Sequence, residues 1–168
     1  MATLRTNLPR IFRPIDKAIT GFFRRYGVIA TRLALAVIFI LFGGLKVLGI
    51  SPAEQLVLET VTWVPLIPPR TMYYLIGWWE MAIGACFLWR PLLRGAIALL
   101  ALQMVGTFLP LVILPGTCYQ RATTFDGAVD VWTLTTEAQY ILKNLVIIAG
   151  AMVLGGTVRT GPREDLEL

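Results

Sequence analysis

Four apolar runs of about 20 residues each, at 27–50, 71–89, 95–114 and 138–157, leave this chain few ways to fold. Inside hydrocarbon every backbone N–H and C=O must find a partner within the protein, so a spanning segment is a helix or a strand of a closed barrel. The alternation of polar and apolar residues that marks a membrane barrel is absent. The chain is also 57% hydrophobic with a mean hydropathy of +0.71, which is too apolar for an ordinary soluble domain of 168 residues. The expected fold is an all-α integral membrane protein: a four-transmembrane-helix antiparallel bundle over 27–157, preceded by a basic amphipathic segment over 1–26 and followed by a tail at 158–168.

The cations set an orientation. Eleven of the 15 lysines and arginines fall before or at the opening of the first run, in the short connection at Arg90 and Arg94, or in the tail. The remaining four are Lys46, Arg70, Arg121 and Lys143. By the positive-inside rule both termini face the cytoplasm, with the membrane crossed several times. The net charge of +5 is then a bias toward the membrane surface, and no nucleic-acid footprint accompanies it. In the first segment Ile15, Ile19, Phe22, Phe23 and Tyr26 recur at helical intervals, with Arg13, Lys17, Arg24 and Arg25 on the other side. This pattern predicts a helix lying in the bilayer surface over about 11–26, or alternatively a helix docked on a partner.

Within the second run stands a carboxylate, Glu80, flanked at helical spacing by Gly77 and Gly84. A charged group at membrane depth costs about 2.5–3.5 kcal/mol even on the lenient insertion scale, so Glu80 calls for an internal partner or a task. Candidates stand at matching depth. Lys46 closes a stripe of Arg32, Ala36, Phe39, Gly43 and Lys46 in the first run. Gln103 and Thr107 occupy the third run, and Tyr140, Lys143 and Asn144 open the fourth. The expectation is a buried site in the outer half of the bundle, with Glu80 paired to Lys46, Lys143 or both. Snorkelling to the nearest membrane boundary is the competing account of both Arg32 and Lys46.

The connections carry their own signals. Ser51-Pro52-Ala53-Glu54 has the form of a capping box opening a short helix to about Thr62, which the prolines at 65, 68 and 69 then end. Pro110 should kink the third helix and free a carbonyl. The stretch 116–136 reads as a polar outer loop, with Thr136 and Gln139 capping the fourth helix.

Arg32 with Phe42-Gly43-Gly44-Leu45-Lys46, Gly77-Trp78-Trp79-Glu80 with Gly84, and Tyr140-Ile141-Leu142-Lys143-Asn144-Leu145 with Gly150 resemble the DoxX-like superfamily, nearest its YkgB/RclC-type inner-membrane branch. The resemblance runs from about Arg32 to Gly156. It implies a four-helix bundle of the bacterial inner membrane, of the kind linked with redox enzymes, thiosulfate:quinone oxidation or resistance to oxidants.

The residues exclude several chemistries. There is no histidine and no Cys-x-x-Cys, which argues against the usual metal and haem ligation and against a thiol relay. Cys86 and Cys118 fall at opposite ends of the bundle, and Cys118 reads as an inert thiol near the outer surface. No cofactor is evident; a quinone or a lipid is the class such a bundle accommodates, although Trp78, Trp79 and Trp89 fit an interfacial belt better than a quinone stack. Two readings remain. One is a non-catalytic membrane or anchoring subunit, with the bilayer and other membrane subunits or further copies as partners. The other is a small proton-coupled carrier or quinone-reactive protein using Glu80.

Overall fold

The computed structural model describes residues 13–124, 127 and 130–158, which are mostly helical. The expected basic start before residue 13 and the tail from 159 lie outside the described residues. Three helices are long and apolar enough to cross a membrane: Ile15–Val47, Arg90–Ile113 and Thr136–Gly155. The second of the four expected spans is a 20-residue helix that is not among them, since Glu80 and its tyrosines and tryptophans lower its hydropathy.

The first helix, α1, is one rod over Arg13–Val47. The expected break near Gly27, separating a surface helix from a span, is not there. A glycine alone does not end a helix, which takes a proline or an inserted group, and Thr31 Oγ donates to the Gly27 carbonyl at 2.8 Å. At 1.5 Å per residue the rod is about 52 Å long, well beyond the roughly 30 Å of hydrocarbon. Its first half is exposed, including Lys17, Arg24 and Arg25 on one side and Ile15, Ile19, Phe22 and Phe23 on the other. Its end is built by Gly49, whose φ of 70° only glycine adopts without strain. There the Gly49 N–H donates to the Lys46 carbonyl and the Ile50 N–H to that of Leu45, both at 3.0 Å, the paired bonds of a Schellman closure.

A short helix α2, Glu54–Thr60, follows. The capping box does not form: Ser51 Oγ accepts from the Ala53 N–H at 3.3 Å, two residues on, and no side chain caps the helix. Ser51 is thus spent on a local turn around Pro52, and the helix opens two residues later than the box requires. Helix α3, Pro69–Leu88, begins with a proline, whose missing N–H is no loss in a first turn.

Helices α1 and α3 make the closest helix contact in the molecule. Glycines set the distance. A Cβ on Gly43 would sit 2.6 Å from the Gly77 carbonyl oxygen, and one on Gly84 would sit 2.8 Å from that of Ala36. The two backbones therefore touch, as small residues allow in membrane helices. The stripe read from the sequence is the buried face: Ala36, Phe39, Gly43 and Lys46 all face the interior.

A 3-10 turn at Arg90–Leu92 leads into α4, Leu93–Phe108, and Pro110 starts a separate turn, α5, at Pro110–Ile113. The break expected at Pro110 is present, but the carbonyl it frees does not stay free, because the Leu109 N–H reaches the Gly106 oxygen at 3.3 Å. After a single turn α6, Pro115–Cys118, the expected outer loop contains a hairpin. Its strands, β1 Tyr119–Thr123 and β2 Asp130–Leu134, pair antiparallel with Arg121 opposite Trp132. Gly127 turns there at φ 71°. The signal was in the sequence, as Asp126-Gly127 between two runs rich in β-branched and aromatic residues.

The last span comprises α7, Thr136–Leu142, and α8, Asn144–Gly155. Thr135, one residue earlier than expected, is its cap, accepting from the Ala138 N–H at 3.3 Å. The interruption at Lys143 has an identifiable cause: Asn144 Nδ2 donates to the Tyr140 and Ile141 carbonyls at 3.3 and 3.0 Å, taking acceptors the helix ladder would use. Helix α3 lies against α1 and α4, and α8 lies against the same two. One apolar cluster joins Leu35, Phe39, Ile83, Phe87, Leu100 and Leu154. A smaller one seats Cys118, Ala138 and Ile141 beneath the short helices.

Candidate functional site

Lys46 lies in the last turn of α1, where a cation is favoured by the helix dipole, and its stem crosses the face of α3 at Gly77. A Cβ on Gly77 would meet the Lys46 Cβ at 2.9 Å, so the bare backbone of Gly77 makes room for the lysine. One turn further along α3, Glu80 Oε2 accepts from Lys46 Nζ at 2.6 Å. Its other oxygen, Oε1, accepts from Gln103 Nε2 of α4 at 3.1 Å. Lys46 is 7% exposed and Glu80 8%, so water screens neither. Three helices thus contribute one group each, and both carboxylate oxygens are engaged. Charge-assisted bonds of this kind are short and strong, yet desolvation of both ions offsets much of the attraction. The arrangement therefore specifies which faces meet more than it adds stability.

Of the two amines expected beside Glu80, Lys46 makes the contact and Lys143 does not. Lys143 is exposed, with Nζ 4.2 Å from the centre of the Tyr140 ring, itself 63% exposed. The reason is angular. Ile141 is the buried residue of that turn, and Lys143 follows it by two residues, about 200° around the helix. Asn144 is occupied by the backbone carbonyls behind it. Thr107 supports the site at one remove, its hydroxyl donating to the Gln103 carbonyl at 3.0 Å. Arg13 opens α1, far along the chain from the pair, and Lys17, Arg24 and Arg25 share its exposed first half.

Cys86 and Cys118 are both free thiols. Cys118 is fully buried, and its Sγ lies 3.4 Å from the Pro110 carbonyl. Burial pushes its pKa up, with the nearby Glu137 adding to the effect, so it is a poor nucleophile. Trp78 and Trp89 are 58% and 67% exposed, as lipid-facing rings would be, while Trp79 packs on the apolar cluster with its buried indole N–H lacking an acceptor. No group of three or more His, Cys, Asp or Glu residues able to hold a metal occurs among the described residues.

One feature escapes the sequence pattern. Arg32, for which snorkelling is the competing account, has its Nε buried without a hydrogen-bond partner. It lines a cavity between the first, third and last apolar helices. Nothing in the run of residues around Arg32 distinguishes it from a cation that reaches water.

Comparison of the chain with protein-family models, with curated proteins and with solved structures finds no match.

Proposed function

We propose that this chain is a DoxX-like, four-span antiparallel bundle of a bacterial inner membrane, with α3 as the fourth span and both termini cytoplasmic. It serves there as a non-catalytic subunit that anchors or completes a redox-linked, quinone-linked or oxidant-resistance complex. The observation that carries this reading is the closure of the Glu80 site: one oxygen is held from α1 and the other from α4. A carboxylate tied in this way fixes helix packing and offers no open position to a substrate. The broad exposed apolar surface, including Leu102, Val105, Val112, Val146 and Met152, suits lipid or the flank of another subunit. The resemblance of the Glu80, Lys46 and Gly77 segments to redox-associated membrane proteins supplies the setting.

Purification of the full chain from its own membranes in mild detergent tests the reading. A stable assembly with a second membrane protein, or with further copies, is expected. A solitary 18.6 kDa chain in its micelle that exchanges protons on its own would overturn it. The second reading, a proton-coupled carrier, is favoured by one fact, the presence of a titratable carboxylate inside a helix of spanning length. Under it Glu80→Gln abolishes proton-linked activity in a protein that still folds, whereas under the subunit reading the same change weakens assembly.

A further inference from the structure

The half-buried Arg32, whose Nε meets no acceptor, points to a ligand that is not protein. Its side chain lines a cavity of about 300 Å³ where α4 begins and α8 has just ended, and its Nε is buried without an acceptor. A second guanidinium, Arg90, lines the same cavity from the turn before α4. No carboxylate pairs with either arginine among the described residues. The remaining walls are mostly apolar, from Val28, Ile29, Leu93, Leu154 and Val158, with Thr157 beside them, its hydroxyl donating to the Leu154 carbonyl at 2.7 Å. Two arginines lining one apolar-walled notch offer planar donors for phosphate oxygens, which guanidinium groups bind in bidentate fashion. The notch lies at the end of the apolar helices, which is the depth of a lipid head group, and basic pockets between membrane helices take such head groups.

We propose that this cavity binds the phosphodiester of an anionic phospholipid, with Arg32 and Arg90 on the phosphate oxygens and the apolar walls against the glycerol and first acyl carbons. The proposal rests on the apolar helices that place the chain in a membrane, and not on the subunit reading or on the Glu80 site. The apolar walls favour a lipid over a free anion.

The test uses the full chain in a non-ionic detergent, observed by native mass spectrometry. It is titrated in parallel with dioleoyl phosphatidylglycerol and dioleoyl phosphatidylcholine, which share their acyl chains and differ in net charge. The expected result is tighter binding of the glycerol lipid by about tenfold, as two charge-assisted contacts would give, with that preference lost in the R32Q/R90Q double variant. The R32K/R90K variant, which keeps charge and loses the fork, should fall between. Thermal unfolding without lipid verifies that each variant is folded, and if R32Q/R90Q does not fold, R90Q alone carries the comparison because Arg90 is exposed. Equal preference in wild type and variant overturns the site. Stabilisation by millimolar inorganic phosphate, lost in the double variant and without any lipid preference, keeps the phosphate chemistry and overturns the lipid source. A lipid preference that appears only after deletion of 159–168 also overturns the proposal, since the Glu164-Asp165 segment would then be the occupant in the whole chain.

Discussion

Arg32 and Lys46 stand on one face of one helix, fourteen residues apart, and meet opposite fates. Lys46 is received by the protein: glycine on α3 opens the way, Glu80 accepts its hydrogen bond at 2.6 Å, and Gln103 holds the far oxygen. Arg32 has no such reception, and its buried Nε has no acceptor. The difference lies in the helices opposite. A carboxylate on α3 faces the Lys46 end, whereas the Arg32 end meets Leu93, Leu154 and a second arginine. A cation on the inner face of such a helix is thus either tied within the fold, as Lys46 is, or left with a buried N–H unmet, as Arg32 is. Which one depends on residues far away in sequence.

The largest expected effect breaks the tie. Lys46→Met leaves Glu80 buried beside lost charge and should reduce stability by about 3–5 kcal/mol, as removal of one partner of a buried pair does. Adding Glu80→Met to it should restore much of that loss. Reversible unfolding in detergent measures both, and a single change costing under about 1 kcal/mol would show that the pair is not dry. Next come the glycines of the crossing: Gly43→Ala and Gly77→Ala should each cost about 1–3 kcal/mol by overpacking, in the same assay. Arg32 should behave in the opposite sense to Lys46. In uncharged detergent Arg32→Met removes an unpartnered buried polar group and should raise stability by about 1 kcal/mol; equal losses from Arg32→Met and Lys46→Met would erase the contrast. Smallest is Lys143→Met, expected to change stability by less than about 0.5 kcal/mol because the amine is exposed. A loss approaching that of Lys46→Met would mean that Lys143 shares Glu80 after all.

Much of the fold was legible before the structure. The stripe from Arg32 to Lys46, the break at Pro110 and the need of Glu80 for a basic partner all follow from spacing, from the missing proline N–H and from the cost of charge in hydrocarbon. The errors have local causes. The first helix runs on through Gly27 because glycine weakens a helix without ending it. Ser51 turns back on Ala53 in place of capping, a choice between two nearby N–H groups that the residue pattern leaves undecided. The stretch 119–134 forms a hairpin in place of an irregular polar loop because its β-branched and aromatic residues favour pairing despite their polar neighbours.

By itself the sequence determined that this chain is mostly helical and apolar enough to enter a membrane, because run length and hydropathy act residue by residue along the chain. It also determined that a carboxylate in such a run must be met from elsewhere. Only the tertiary structure decided that Lys46 meets it, that Lys143 turns away, and that Arg32 is left over. Those outcomes rest on the rotation of each helix about its axis and on the sub-ångström clearance at Gly43 and Gly77, which depend on every facing side chain at once.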